Sequence, residues 1–296
     1  MGFRTVLISS RCKLEYRLNY LVIRGETERK IYVKEINTLI VQSTAVSLTA
    51  AALCELTKHH VKVIFCDEKC NPQTELIPYY GAHNTSKRYK QQLRWSDEVK
   101  RAAWARIIRE KVERQAALLG EMGFRREFEM LRSYAADVRD GDPTNREGHA
   151  AKVYFNCLFD PGEGRKSGGF VNGCLNYGYA VLLSCFNREI AAEGYLTQLG
   201  IWHDNEFNQF NLACDLMEPL RPIVDKAAFS LEEGDEAFKK KMANVLNYSA
   251  VIGGRRTTLD LAIEAYVRSF TDYMNEGGAG EILFPTEVKE TNEGRE

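Results

Sequence analysis

Two patterns of apolar and polar positions divide this chain. Up to about residue 80, short apolar runs rich in β-branched and aromatic residues alternate with polar breaks: Thr5–Ile8, Leu14–Leu18, Tyr20–Ile23, Lys30–Val33, Ile36–Val41 and Val61–Phe65. Runs of this length and composition predict strands. Arg24–Glu28, between two of them, predicts a hairpin turn, and the alanine- and leucine-rich stretch from Leu48 to His59 predicts one intervening helix. A small β-sandwich packages such elements.

The pattern changes after Tyr80. Residues 81–86 are small and polar and predict a linker. From Lys87 the apolar spacing is that of helices: Trp95, Val99, Ala102, Ala103 and Ile107 suit one long helix, and similar patterns continue to about Met274. Asp160–Gly169 predicts a loop between helices, and residues 276–296, beginning at a glycine-rich root, predict a flexible tail. The expected architecture is α+β: an N-terminal β-sandwich domain over 1–80, the linker, and a larger all-α domain over 87–275.

Composition adds bounds. With 44% apolar and 27% charged residues over 296 positions, the chain suits a globular protein with room for two cores. Its apolar stretches fall short of the roughly 18 residues of a membrane span. Met1–Arg4 begins no secretion signal, so a cytoplasmic location without membrane partners is expected. Of eight cysteines only Cys66 and Cys70 lie close, with no second pair, which disfavours a zinc site. The net charge of −1 conceals segregation: Lys87, Arg88, Lys90 and Arg94 open a basic segment continuing through Lys100, Arg101, Arg106, Arg109, Lys111 and Arg114. Such a segment predicts contact with phosphates, with Lys87, Arg88, Lys90 and Arg94 as candidate DNA-binding residues.

The candidate chemistry lies in Gly200–Asn211, Asp215–Pro219 and Asn145–Ala151, where an imidazole, carboxylates and amides crowd among apolar residues. Polar groups that become buried need partners, so the cluster suggests metal and phosphate chemistry. Each residue also has a structural reading. Glu147 fits a capping box begun by Thr144, His203 could pack as a core histidine beside Trp202, and Glu218 could pair with Arg221 on a solvated face. In one unbroken helix His203 and Glu218 would stand about 22 Å apart, too far to share an ion. A common site needs His203 in a loop that folds back along the helix carrying Glu218, and the helix-poor Asp204–Asn208 permits it. Pro219 and Pro222 mark the end or kink of that helix.

Arg146–Phe155, Asn172–Tyr179 and His203–Asp225, in this order and over nearly the whole chain, resemble the CRISPR-associated spacer integrases, with Asn208–Leu212 and Asp215–Asp225 similar to the type II version. The resemblance implies a metal-binding catalytic triad of Glu147, His203 and Glu218, with Asp215 as a neighbour behind it, and Mn²⁺ or Mg²⁺ as the ion. It implies a homodimer working with a small CRISPR adaptation partner protein and with other type II CRISPR proteins on DNA fragment ends and a CRISPR repeat. The implied reaction is transesterification, in which the 3′-OH of a short fragment attacks a phosphodiester at the repeat border. Two other functions share these residues: a metal-dependent nuclease acting on branched or free DNA, and a non-catalytic DNA-binding scaffold.

Overall fold

The early apolar runs pair into two sheets. In the computed structural model, which describes residues 2, 4–68, 70, 72–79, 84–159, 162–165 and 168–290, the first elements are β1 (Arg4–Ile8), β2 (Lys13–Arg17), β3 (Tyr20–Arg24), β4 (Glu28–Tyr32), β5 (Ile36–Val41), β6 (Ser47–Leu48), α1 (Ala50–Lys58), β7 (Lys62–Cys66) and β8 (Pro72–Leu76). One sheet has the order β4-β3-β2-β6, with β2, β3 and β4 antiparallel. Leu18 and Asn19 join β2 to β3 with positive φ at both positions, the two-residue turn whose twist matches the strands. The other sheet has the order β1-β5-β7-β8, parallel across β1, β5 and β7. Thr49 caps α1 by accepting the Ala52 N–H, and Ala52 and Leu56 drop into the shared core with Leu14, Leu21, Leu39 and Val63.

Alternation along β5 and β7 sends side chains both ways. Leu39, Val41 and Val63 enter the core between the sheets, whereas Ile40, Ile64 and Cys66 join the core of the helical domain. The β1-β5-β7-β8 sheet is therefore covered on both faces. Buried polar pairs lock the contact: Arg188 bonds Asn37 and Glu189, Asn37 bonds Asp260, and Glu75 joins Lys62 at 2.6 Å and Ser184 at 2.6 Å.

The helical domain consists of α2 (Thr85–Gln92), α3 (Asp97–Glu121), α4 (Arg125–Asp137), α5 (Arg146–Leu158), α6 (Gly169–Ala192), α7 (Asn211–Met217), α8 (Arg221–Phe229), α9 (Phe238–Asn244), β9 (Ser249–Ile252), β10 (Arg255–Thr258), α10 (Leu259–Asn275) and β11 (Thr286–Lys289). The expected linker falls partly outside the described residues, and its last two positions, Thr85 and Ser86, already belong to α2. The 160–169 loop is described only in part, at 162–165 and 168–169.

Two expectations need correction. The domain is not all helix, because Gly253 and Gly254, both at positive φ, turn the chain between β9 and β10. The β-branched Val251, Ile252, Thr257 and Thr258 favour strand there over helix. Nor is the segment after Asn275 only a tail: β11 adds to the far edge of β9, giving the order β10-β9-β11. Backbone pairing with a distant strand holds this polar segment, with Ile282, Leu283, Phe284 and Val288 packed on the helical core. Residues 291–296 of the expected tail lie outside the described residues. Among the described residues no helix is long and apolar enough to cross a membrane.

Candidate metal centre

The N-terminus of α5 presents Glu147. Asn145, in the left-handed region at φ 50°, caps the helix by accepting the Gly148 N–H at 3.2 Å. Asp142 accepts the next two orphan donors, the N–H groups of Arg146 at 2.8 Å and Glu147 at 2.9 Å. A Cβ on residue 148 would come 2.7 Å from Asn145 Oδ1, so the glycine makes room for the cap. Thr144 is not the cap, and the Glu147 carboxylate is not used for one. It accepts instead from the Lys111 ammonium on α3, at 2.7 Å.

His203 lies in the irregular stretch between α6 and α7, as the distance argument requires. Asp215 of α7, fully buried, holds that stretch: its carboxylate accepts the N–H groups of Ile201 at 2.7 Å, Trp202 at 3.0 Å and His203 at 3.0 Å. The same carboxylate meets His203 Nδ1 at 2.6 Å. This pairing fixes the ring and leaves Nε2 as its other nitrogen for a ligand. The hydrogen bond to Asp215 raises the imidazole pKa above its ordinary value, against burial, which lowers it. Gly200 lets the chain pass this close, since a Cβ there would strike the His203 carbonyl and lie 2.8 Å from Asp215 Oδ2. Trp104 of α3 forms the wall, stacked on Trp202 with ring centroids 5.4 Å apart and edge-on to His203 at 5.8 Å.

Glu218 begins the 3-10 turn Glu218–Leu220 that joins α7 to α8, with Pro219 and Pro222 placed where neither needs to donate. Its buried carboxylate meets Lys111 at 2.6 Å through Oε2 and Arg221 at 2.9 Å through Oε1. Burial alone would raise the Glu218 pKa, but Lys111 and Arg221 hold it below the ordinary carboxylate value. Burial would likewise lower the Lys111 pKa, and the two glutamates raise it instead.

Glu147 and Glu218, 71 positions apart, therefore converge on one cationic group, with His203 near enough for their charges to act on its ring. Among the described residues no three histidine, cysteine or acidic side chains stand together as a ready cation site, because Lys111 occupies the space between the carboxylates. The residues nevertheless fit a divalent ion. Glu218 Oε2 is buried and meets the Lys111 ammonium at 2.6 Å. Such an atom retains lone pairs for a cation, and two carboxylates with one imidazole are donors suited to Mn²⁺ or Mg²⁺.

The basic segment divides. Lys87, Lys90, Arg94 and Arg101 are exposed, whereas Arg88 donates to Tyr195 Oη at 3.0 Å, Arg109 to the Val138 carbonyl at 2.8 Å, and Arg114 pairs with Glu110. Lys111, counted with the phosphate contacts from sequence, lies between the two carboxylates of the candidate metal centre. Its spacing held the signal, since it continues the Trp104–Ile107–Ile108 stripe toward Val112 and Gln115, all buried. Trp104, Asp142 and Arg221 are further parts of the site that sequence left without a functional role.

The Asn172–Tyr179 motif on α6 builds a wall beside Arg221. Asn172 accepts from Arg165 at 2.6 Å and donates to the Gly164 and Gly168 carbonyls. The Arg221 guanidinium lies 4.8 Å from the Tyr179 ring centre. Tyr179 and Tyr154 both donate to the buried Asp225, whose pKa burial pushes up to about 6.

The family described as CRISPR associated protein Cas1 matches residues 5–250. A CRISPR-associated endonuclease Cas1 from Neisseria meningitidis serogroup C (strain 8013) is 32% identical over 293 residues, covering 96% of each chain. A casposase solved bound to its integration product superimposes with a TM-score of 0.77 at 21% identity, over 94% of this chain and 92% of that one. A chain from a Cas6-RT-Cas1–Cas2 complex gives 0.75 at 17% identity, over 97% of this chain and 36% of that one. The structural likenesses show the fold, and the sequence matches show the lineage: this chain belongs to the Cas1 family of CRISPR-associated proteins.

Proposed function

We propose that the protein is a metal-dependent DNA integrase of CRISPR adaptation, joining the 3′-OH ends of short DNA fragments to a CRISPR repeat. The observation that carries the reading is the convergence of Glu147 and Glu218 on one cationic position beside His203, in a Cas1-family chain. Glu147, His203 and Glu218 would hold Mn²⁺ or Mg²⁺. Bound there, the ion would supply positive charge to the phosphodiester oxygens and to the attacking or leaving oxygen. The chain's own residues set the geometry. Asp215 holds the His203 ring in one tautomer, Arg221 fixes one oxygen of Glu218, and Asp142 ties down the α5 turn that presents Glu147. The buried Trp104 ring walls one side, stacked on Trp202 and edge-on to His203. One phosphodiester replaces another, so no nucleotide cofactor is required.

DNA would approach over the exposed Lys87, Lys90 and Arg94. Insertion at two fragment ends needs two active subunits, and we place a homodimer contact on the N-terminal domain, around the cleft between its sheets that Ile23 and Ile31 help line. Leu21 is fully buried inside the domain and is no part of this surface. The Cas1–Cas2 complex among the structural neighbours supports a small adaptation partner, and the type II resemblance supports further type II CRISPR proteins.

The deciding experiment incubates the full chain and the small partner with Mn²⁺, a hydroxyl-ended fragment and a supercoiled plasmid bearing the host repeat. Covalent joining of fragment to plasmid supports the integrase. The name of the Neisseria relative favours a second reading, an endonuclease in which water replaces the 3′-OH; cutting without joining would establish it. Duplex binding with neither joining nor cutting would leave only a DNA-binding scaffold.

A further inference from the structure

We infer that Lys111 is a built-in cation that competes with the metal for Glu147 and Glu218, so that metal is held tightly only when a DNA phosphate arrives to receive the displaced ammonium. The inference rests on the metal-dependent reading above.

Lys111 Nζ lies 2.7 Å from Glu147 Oε1 and 2.6 Å from Glu218 Oε2, and a divalent ion needs the lone pairs of those same two carboxylates. Charge gives the same answer. Glu147 and Glu218 carry two negative charges, and Lys111 and Arg221 carry two positive ones, in ion pairs of 2.6 to 2.9 Å. With the buried Asp215 carboxylate behind a neutral His203, the site carries one negative charge without metal. A divalent ion added to it, where the Lys111 and Glu218 side chains are only 10% and 5% exposed, would leave one uncompensated positive charge out of water. A bound phosphodiester supplies the missing negative charge.

The two cations of the set differ in their freedom. Arg221 is held against the Tyr179 ring as well as by Glu218. Lys111 has a flexible four-carbon stem that ends in a compact point charge. Lys111 is therefore the group that can yield. Metal and DNA then bind with positive coupling, and by linkage each strengthens the other by the same factor. A lone subunit carrying no DNA keeps its ligands occupied by its own lysine and is protected from loading metal and cutting at random.

The test measures Mn²⁺ affinity from the electron paramagnetic resonance signal of free Mn²⁺, on the full chain, with and without a short duplex bearing 3′-OH ends. In the wild type the duplex should tighten Mn²⁺ binding by about tenfold or more. Lys111→Met should bind Mn²⁺ about tenfold more tightly than wild type without DNA, and the duplex should add little. Lys111→Arg, which keeps the charge, should stay weak without DNA. Equal wild-type affinity with and without bound duplex overturns the inference alone. So does a Lys111→Met variant that binds no more tightly than wild type. Should Lys111→Met fail to fold, the wild-type comparison decides by itself. A wild type that takes up no Mn²⁺ in either state overturns the metal reading itself.

Discussion

An alanine at Glu218 takes the carboxylate from Arg221 and leaves the buried Lys111 ammonium with Glu147 alone, whereas an alanine at His203 leaves Asp215 with its three backbone donors. The two substitutions should therefore differ in stability while agreeing in chemistry. Glu218→Ala should cost about 3–5 kcal/mol, as expected when one partner of a buried ion pair is removed. His203→Ala should cost about 1 kcal/mol, one hydrogen bond from a half-exposed ring. Both should lower strand transfer by about 100-fold or more. Urea unfolding beside the joining assay checks this, and equal stability in the two variants would contradict the buried network. Asp225 makes a pH prediction. Its folded pKa, pushed up to about 6 by burial, stands above the 3.8 of an unperturbed aspartate. The folded state then holds the extra proton between these values, so stability falls as pH rises through them, by about 3 kcal/mol from this group. Asp225→Asn should remove that part of the slope in unfolding curves taken from about pH 4 to about pH 7. A variant with an unchanged slope would place its source elsewhere.

At the scale of elements, α2 and the turn that follows it form the basic surface. Lys87, Lys90 and Arg94 are exposed and Arg88 is engaged with Tyr195, so the charge-reversal test is Lys87→Glu with Lys90→Glu and Arg94→Glu. The triple variant should bind unrelated duplexes more weakly alike. Its log–log salt slope should shrink by about 2.7 if all three residues contact phosphates. An unchanged slope would move the DNA track to another element. The same helix shows what the sequence could and could not convey. Its basic character was legible, but Arg88's loss to Tyr195 was not, because the partner lies 107 positions away. The strands and the long α3 were legible from periodicity, a local signal. β9, β10 and β11 were not: each is four residues long, and β11 is held by pairing with a strand more than thirty positions earlier. Glu147, His203 and Glu218 were legible as polar residues clustered in apolar company. Lys111 was legible only through its spacing along the buried stripe, because the charge run in which it stands invites a reading as solvated surface, while α3 turns it inward with Trp104 and Ile108.

For the molecule as a whole, β5 and β7 have no outer face. Ile40, Ile64 and Cys66 complete the helical core from the N-terminal domain, and Arg188 and Ser184 reach back from α6 to Asn37 and Glu75. Calorimetry on the full chain should therefore give one cooperative unfolding transition, with Ile64→Ala lowering its midpoint without splitting it. The variant should cost about 2–4 kcal/mol, as for a large apolar side chain shortened in a packed core. Two resolved transitions would show that the domains are thermally independent. The shared sheet also limits how the chain can be dissected. A cut near residue 81 would free no self-sufficient half: the first piece would expose an apolar sheet face to water, and the second would lose three plugs from its core. Two such fragments should be insoluble apart and should regain a folded form only when expressed together.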